Sequence, residues 1–389
     1  PEADAIVLHS VGEIEIFRNG SARTHRQIAY RLLTHQGLFF SVCSLRYAPF
    51  EKIKKLKGWL LKRNGKSISL EKNNILDVSS SQGAGYYEDD LIRVAALPGA
   101  DPGDVVAFEW EIEEEKGWTG YYHTFEFQRQ QPVKFSRCRI KIPRGWELHV
   151  EEWNTAGIQF EHTGELYVWT ARDLPYQPQE PLAPDWDFLA RRVTVSCFDP
   201  QRQIQNHFAD WKAVARWCAA LFQEPSTATG DIVQTTQHLL QDKPSFADKL
   251  RAIADFTQDE IRYVAVEIGK SRWRPRRAEK TLYNRYGDCK DKTALMRALL
   301  SAANIPSVPV LVSVSDPLFT NVPTPFQFDH CVIAIPIEEH QVYSEFQNAI
   351  VHNYLIFDPT DSAVELGHLP WHLQGRKVLL GLPGDSVLL

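Results

Sequence analysis

Several features that would place a protein of this length in a specialised class are missing from the sequence. The six cysteines include no CxxC pair, so we expect no zinc site, and they are too sparse for a disulfide framework, although one or two disulfides stay open. No apolar run reaches eighteen residues, so we expect no membrane-spanning helix. The net charge of −6 gives no indication of a nucleic-acid partner. What remains is the composition of an ordinary globular protein.

A recognisable secretory signal is also missing, although the sequence begins at Pro1 rather than at methionine. We therefore expect that an upstream segment was removed, and an extracytoplasmic location (periplasmic or secreted) follows if that segment was an export signal. The oligomeric state is left open by the sequence.

The first half of the chain has the pattern of β-strands. Asn19-Gly20 between two alternating runs is a strong hairpin signal. In the run 105–113, Phe108, Trp110 and Ile112 alternate with polar residues and are expected on the core face. Further short runs follow at regular spacing up to residue 198. The spacing predicts an all-β, sandwich-like domain over residues 1–199.

Two features of this half allow alternative interpretations. Four tryptophans in the predicted strands are either core anchors or a platform for stacking sugars or peptides; they are Trp59, Trp110, Trp146 and Trp169. The acidic residues 111 and 113–115 are either a solvated edge that blocks strand pairing or, less favoured, a metal site.

The second half, residues 200–389, changes to helical periodicity and then to a few apolar strands. A proline-rich connector at 173–184 precedes the change. Helices are expected from His207 to Phe222, from Ile232 to Leu240 and from Ser245 to Ile261, with Ser245 as a cap. The fold class is therefore α+β with two domains.

The most informative segment of the second half is Tyr286-Gly287-Asp288-Cys289-Lys290-Asp291. Gly287 is expected to permit an unusual turn, and Asp288 is a natural N-cap with Asp291 three residues later. An apolar helical stripe follows from Thr293. Cys289 then lies in the first turn of a helix, where the unpaired N–H groups favour a thiolate.

Two later segments carry residues that could activate such a thiol. His330 begins an apolar run with the pattern of a strand, and Asp358 ends the next one, at Phe357-Asp358-Pro359-Thr360. A thiol nucleophile needs a base, and the base needs a third group that fixes its tautomer. Asp361 is the alternative third group, and Asp358 is preferred because it lies at the end of the strand.

These motifs resemble the transglutaminase-like superfamily, of the papain-like cysteine-enzyme fold, over roughly residues 246–360. The resemblance implies that Cys289 is the nucleophile, His330 the base and Asp358 the group that orients it. Tyr263 corresponds to an aromatic oxyanion donor in the family, while the plainer interpretation is a core tyrosine. The first 199 residues resemble, more loosely, the uncharacterised β domain that commonly precedes such domains in bacteria.

The resemblance implies acyl transfer on a peptide or protein amide through a thioester, by a peptidase, an amidase or a transglutaminase. The alternative is a non-catalytic binding or scaffold protein that uses the tryptophan-rich β domain. No metal, cofactor or calcium motif accompanies the triad. The basic residues 272, 274, 276 and 277 form either a solvated loop or a site for an acidic substrate group.

Overall fold

The structure is a computed structural model, and it describes residues 3–80, 86–115, 121–201, 208–267, 272–315, 317–337 and 344–384. The chain divides into two compact units. The first is Pro1–Ser80, Asp89–Ala209 and Phe319–Thr324, and the second is Ser81–Glu88, Asp210–Leu318 and Pro325–Leu389. The predicted α+β class with two domains is confirmed. The boundary predicted after residue 199 stays a prediction, because residues 202–207 lie outside the described part of the chain.

The first unit consists mainly of strands. They are β1 (Ala5–Ile16), β2 (Ala22–Leu32), β3 (Val42–Tyr47), β4 (Glu51–Leu61), β5 (Ser67–Ser69), β6 (Ile75–Ser79), β8 (Leu91–Ala96), β9 (Val105–Glu114), β10 (Tyr121–Gln128), β11 (Val133–Lys141), β12 (Glu147–Trp153), β13 (Gln159–Thr163), β14 (Leu166–Leu174) and β15 (Arg191–Phe198). Short helical turns lie at Gln36–Ser41, Lys72–Asn74 and Trp186–Leu189, the last of which is α1.

These strands form three sheets. The largest has eight strands in the order β13-β14-β11-β1-β2-β9-β4-β5, and the others have the orders β10-β15-β12 and β3-β8-β6. Strand β1 pairs with β2 in the expected hairpin and, on its other edge, runs parallel to β11. The eight-stranded sheet packs against β10 and β15 through buried residues such as Ile140, Trp169, Phe125 and Val195. This two-layer core is the predicted sandwich-like arrangement.

Two of the four tryptophans named above are buried in the core of the first unit. Trp169 and Trp146 have 1% and 9% of their surface exposed, which supports the interpretation as core anchors.

The acidic run does not form a solvated edge, so that prediction is wrong. Strand β9, which contains most of the run, lies inside the sheet between β2 and β4. Its glutamates instead pair across strands, as in the 2.6 Å contact between Lys55 Nζ and Glu109 Oε1.

The second unit combines helices with a small antiparallel sheet. The helices are α2 (Trp211–Gln223), α3 (Gly230–Leu239), α4 (Phe246–Asp259), α5 (Ala278–Asn284) and α6 (Cys289–Ala302). The strands are β7 (Tyr86–Glu88), β16 (Arg262–Tyr263), β17 (Ala265–Glu267), β18 (Tyr286–Gly287), β19 (Val308–Val312), β20 (His330–Pro336), β21 (Ile350–Val351), β22 (Tyr354–Phe357) and β23 (Val378–Leu380). Three-residue and six-residue 3-10 turns lie at Pro325–Gln327, Trp371–Leu373 and Ser344–Ala349.

Helix α6 lies at the centre of this unit. Ten of its residues are buried, and its apolar side packs with α3, α4 and the sheet through Leu295, Leu299, Ile333 and Ile335. The sheet has the order β21-β22-β20-β19-β23, with a second apolar layer on the face that carries Val332. Helix α6 and strands β20 and β22 are thereby held in fixed positions, and one end of each lies at the candidate site, where α6 and β20 begin and β22 ends.

The predicted helices are found, with bounds that differ by a few residues. Helix α2 begins at Trp211, after the N-cap Asp210, while His207 lies outside the described residues. Helix α4 is capped by Ser245 as predicted, since its hydroxyl accepts a hydrogen bond from Asp248 N at 3.0 Å. Among the described residues, no helix is long and apolar enough to cross a membrane.

Candidate active site

Cys289 is the first residue of α6. Asp288 accepts a hydrogen bond from Asp291 N at 3.1 Å, and the carboxylate of Asp291 accepts one in return from Asp288 N at 3.4 Å. This reciprocal cap satisfies two of the N–H groups that a helix start leaves unpaired. It supports the capping interpretation of both aspartates, and it fixes a half-buried Cys289 at the positive end of a buried helix.

The residue before the cap has a different role from the predicted one. Gly287 does not have a positive φ angle, and the left-handed residue of this segment is Arg285, with φ of 56°. A Cβ at position 287 would lie 2.6 Å from Cβ of Asp291 and 3.1 Å from Cγ2 of Thr281. Glycine is therefore required here by the close approach of the capping side chain, and the prediction of an unusual turn at Gly287 is wrong.

His330 begins β20, and Asp358 follows directly after β22. Their side chains meet, with His330 Nε2 at 2.8 Å from Asp358 Oδ2. The other carboxylate oxygen, Oδ1, accepts hydrogen bonds from Thr360 N at 2.8 Å and from Thr360 Oγ1 at 2.7 Å. Asp361, the alternative third group, accepts its own hydrogen bond from Ala363 N at 3.0 Å and serves a local turn. Asp358 is thus the carboxylate that contacts His330.

The electrostatics of this pair follow from its partners. Burial works to lower the pKa of His330, but hydrogen bonds to Asp358 and to Cys289, together with their charges, raise it to about 10. Burial works to raise the pKa of Asp358, but hydrogen bonds from His330 and Thr360 hold it below its ordinary value. The carboxylate is therefore ionised, and the imidazole carries a proton across the neutral range.

Tyr263 is held beside the start of α6 by a short parallel pairing. Strand β16 pairs with β18, so that Tyr263 stands opposite Gly287, and Val264 N donates to Gly287 O at 3.0 Å. The side chain is 46% exposed and lines the same cavity as Cys289. The interpretation as a core tyrosine is therefore wrong.

Cys289 and His330 both line a cavity of about 360 Å³. Much of its wall is aromatic, from Trp217, Trp273, Phe326, Phe328 and Tyr263. Trp273 contacts Trp217 and Phe326 edge-on, with ring centroids 5.9 and 5.5 Å apart. Phe326 lies on the turn Pro325–Gln327, just before His330. The cavity thus offers an apolar surface next to the sulfur.

The basic residues before α5 are held by acidic partners. Arg274 and Arg277 pair with Glu224, and Arg276 pairs with Asp291, whose Oδ1 also accepts from Arg276 N at 2.7 Å. Arg272 lines the cavity and lies 4.0 Å from Glu88. All four side chains therefore have an acidic partner, and Arg272 also forms part of the cavity wall.

Two lysines near Cys289 are buried, which the sequence does not predict. Lys292 is 1% exposed, and its Nζ donates to Ile261 O at 2.7 Å and to Gln258 O at 3.1 Å, at the end of α4. Burial lowers its pKa to about 8, against the charges of Asp358 and Asp259. Lys290 pairs with Asp288. Lysine is rarely buried, and the sequence around these two carries no signal for it.

Two further residues hold the carboxylate end of the site. The amide of Gln258 donates to the carbonyls of Asp358, Asp361 and Val364 at 3.2, 2.7 and 3.0 Å, which ties the loop after β22 to α4. His372 places its Nε2 at 3.6 Å from Asp358 Oδ2. Ligand atoms of His330, Asp358 and His372 all lie within 4.8 Å of one another, a donor set that could hold a metal ion.

The arrangement brings together the four residues to which the resemblance assigns roles. Cys289, His330 and Tyr263 line one cavity, and the imidazole of His330 is hydrogen-bonded to the carboxylate of Asp358. Such a set can support nucleophilic attack on a carbonyl carbon, proton transfer and stabilisation of an oxyanion. Each role remains a prediction.

Comparisons with known proteins agree with this layout. Residues 18–178 match DUF3857, a domain of unknown function with a solved structure, and residues 233–346 match the transglutaminase-like superfamily. A search of the curated proteins finds no significant match.

Among solved structures, a candidate protease from Parabacteroides distasonis is 17% identical, covers 99% of this chain and 71% of its own, and has a TM-score of 0.71. At that identity the likeness establishes the fold and not the activity. A candidate cysteine protease from Cytophaga hutchinsonii is 10% identical over 95% of this chain and 87% of its own, with a TM-score of 0.25 that supports no argument. From the family matches, the chain carries a DUF3857 domain followed by a core of the transglutaminase-like superfamily.

Proposed function

We propose that this chain is a cysteine-dependent acyl-transfer enzyme that acts on a peptide or protein amide through a thioester. One arrangement of three residues supports the proposal. Cys289 at the start of α6 lines the same cavity as His330, and His330 Nε2 is hydrogen-bonded to Asp358 Oδ2 at 2.8 Å. The match to the transglutaminase-like superfamily supports it independently.

The hydrogen bond to Asp358 determines which ring nitrogen serves the thiol. Because Nε2–H of His330 donates to the ionised carboxylate, Nδ1 is the nitrogen available to Cys289. In the proposed mechanism the thiol of Cys289 gives its proton to Nδ1, so that the sulfur attacks beside an imidazolium. Asp358 stabilises that imidazolium and keeps the ring in position, a role that Thr360 reinforces by holding the carboxylate.

In the first half of the reaction, the sulfur of Cys289 attacks the amide carbon and forms a C–S bond. Negative charge develops on the carbonyl oxygen, where the backbone N–H of Cys289 and the hydroxyl of Tyr263 are the proposed donors. His330 then gives its proton to the amide nitrogen, the C–N bond breaks, and the amine leaves. An acyl thioester on Cys289 is the product.

In the second half, water or an amine attacks the thioester carbon, and His330 takes a proton from it. The C–S bond breaks, and the thiolate is restored. Attack by water gives a peptidase or amidase, and attack by an amine gives a transglutaminase. The same triad serves both outcomes, so the proposal covers both.

The alternative function, non-catalytic binding, depends mainly on exposed tryptophans in the β domain. Trp146 and Trp169 are buried in the core of the first unit and cannot form a stacking platform there. The cavity beside Cys289, with its aromatic walls, accommodates a peptide side chain next to the nucleophile.

The test uses a denatured protein substrate, with and without a fluorescent primary amine. We expect either new peptide fragments or incorporation of the amine, and a covalent acyl adduct on the peptide that contains Cys289 when the reaction is quenched in acid. Cys289→Ala should abolish all three signals, while Cys43→Ala, at the other half-buried cysteine, should retain them. Equal activity in Cys289→Ala and wild type would contradict the proposal.

A further inference from the structure

We propose that His330, Asp358 and His372 form a binding site for Zn²⁺, and that the bound ion switches the cysteine site off. The second half of this statement rests on the proposed function, whereas metal binding does not. The three ligand atoms are His330 Nε2, Asp358 Oδ2 and His372 Nε2. Oδ2 lies 2.8 Å from the first nitrogen and 3.6 Å from the second, and all three side chains offer ligand atoms within 4.8 Å of one another.

The donor set suits zinc. Two imidazole nitrogens and one carboxylate oxygen are the ligands of many zinc sites that keep one further position for water, at metal–ligand distances of about 2.0–2.2 Å. Two atoms bound to one tetrahedral ion at those distances lie roughly 3.3 Å apart. The separations of 2.8 and 3.6 Å from Asp358 bracket this value, and the ligand atoms of the two histidines lie within 4.8 Å of each other, so the two rings must move together to accept the ion.

The surroundings of Asp358 resemble those of a prepared ligand. Its Oδ1 is occupied by Thr360 N and Oγ1, which turns Oδ2 toward the two histidines. Its backbone carbonyl accepts from Gln258. Hydrogen bonds of this kind orient ligating carboxylates and strengthen metal sites. The side chain of Asp358 is 1% exposed, so its charge is little screened by water.

His372 has no part in the proposed acyl transfer, yet it is aimed at the same oxygen as His330. It lies on the turn Trp371–Leu373, which Leu373 anchors in the apolar layer of the sheet. Its ring meets that of His330 edge-on at a centroid distance of 6.2 Å. The side chain is 28% exposed, and that of His330 is 12% exposed. An ion can therefore reach the site from the side of His372.

Zinc binding and catalysis exclude each other through the tautomer of His330. A neutral imidazole that gives its Nε2 lone pair to a metal carries its proton on Nδ1. Nδ1–H cannot accept the proton of Cys289, and the carboxylate that stabilises the imidazolium is bound to the ion. Bound Zn²⁺ is thus a reversible inhibitor, because it occupies the imidazole nitrogen and the carboxylate oxygen on which the proposed acyl transfer depends.

The first experiment measures Zn²⁺ binding to the metal-free full chain by calorimetry. We expect one tight site in wild type, unchanged binding in Cys289→Ala, and at least a tenfold weaker site in His372→Ala. His368→Ala is the matched control, since His368 is an exposed histidine four residues away, and it should bind as wild type does. Circular dichroism of His372→Gln and His372→Ala checks that the fold is retained. Failure of wild type to bind, or equal binding in His372→Ala, would overturn the site.

The second experiment follows alkylation of Cys289 by iodoacetamide, which needs no substrate. Zn²⁺ should slow the reaction at least tenfold in wild type and in His368→Ala, and EDTA should restore it. In His372→Ala the same concentration should have little effect. If Zn²⁺ slows alkylation equally in His372→Ala, the thiol itself is the ligand and the proposed site is wrong. If Zn²⁺ binds but does not change the alkylation rate, the proposed inhibition is wrong and the proposed metal site stands.

Discussion

His330 and Asp358 are joined by a 2.8 Å hydrogen bond between Nε2 and Oδ2, and this bond fixes the direction in which the imidazole presents its other nitrogen. The two residues lie at the ends of neighbouring antiparallel strands, since His330 begins β20 and Asp358 follows directly after β22. The pairing of two largely buried strands therefore brings these side chains together. Five predictions follow from the way neighbouring residues support this pair and Cys289.

The first prediction concerns the hydroxyl that holds Asp358. Thr360→Val keeps the shape of the side chain and removes the 2.7 Å bond to Oδ1. Hydrogen bonds to charged groups contribute about 1.5–3 kcal/mol, so we expect kcat/KM to fall by roughly 10- to 150-fold. Thr360→Ser should recover most of the loss. A fall in Thr360→Val with no recovery in Thr360→Ser would indicate a packing defect instead.

The second prediction separates oxyanion stabilisation from thiol activation. Tyr263→Phe should lower kcat by about 10²-fold, since one oxyanion donor contributes about 3 kcal/mol. Alkylation of Cys289 has no oxyanion, so its rate should stay within about twofold of wild type. Tyr283→Phe, at an exposed tyrosine of α5, is the control. Parallel losses of turnover and alkylation in Tyr263→Phe would contradict the assigned role.

The third prediction concerns the close approach at Gly287. Gly287→Ala places a Cβ 2.6 Å from Cβ of Asp291, so the cap of α6 must shift. We expect the free energy of unfolding to drop by about 1–3 kcal/mol, together with a loss of Cys289 alkylation. Gly230→Ala, at the first residue of α3 where a Cβ meets nothing within 4 Å, should be neutral or slightly stabilising. Denaturant melts compare the two variants.

The fourth prediction concerns Lys292 and its pH dependence. Lys292→Met leaves the carbonyls of Gln258 and Ile261 without their donor, so we expect a loss of about 2–4 kcal/mol near neutral pH. The folded pKa of about 8 lies below the unfolded value of 10.5, so folding releases a proton between these values. The stability of wild type relative to Lys292→Met should therefore rise from pH 8 to pH 10.5. A difference that is flat or falling over that window would show that the ammonium stays charged in the folded state.

The sequence predicted those parts of the site that depend on local rules. The cap formed by Asp288 and Asp291, and hence the position of Cys289, follows from residues three apart on one helix. The hairpin at Asn19-Gly20 follows from turn chemistry in the same way. The superfamily resemblance added the pairing of His330 with Asp358, which no local rule contains.

The structural features that the sequence does not predict depend on contacts between segments that are distant in the chain. The parallel pairing of β1 with β11 joins residues more than a hundred positions apart, and nothing in either strand specifies the partner. The acidic run of β9 has the pattern of a solvated edge because its partners, the lysines of β4, are distant in sequence. The contacts of Lys292 and His372 are not predictable from the sequence, because their partners become neighbours only in the folded chain.

The fifth prediction tests most directly the central claim, which is that His330 activates the thiol of Cys289. The measurement is alkylation of Cys289 by iodoacetamide at pH 6 and pH 8, followed by peptide mapping. Cys43 is the internal reference, because it is also half-buried and burial raises its pKa to about 12. We predict that Cys289 reacts at least a hundredfold faster than Cys43 at both pH values, and that His330→Gln removes most of this difference. Equal rates for the two thiols in wild type, or a rate at Cys289 that His330→Gln leaves unchanged, would contradict the account.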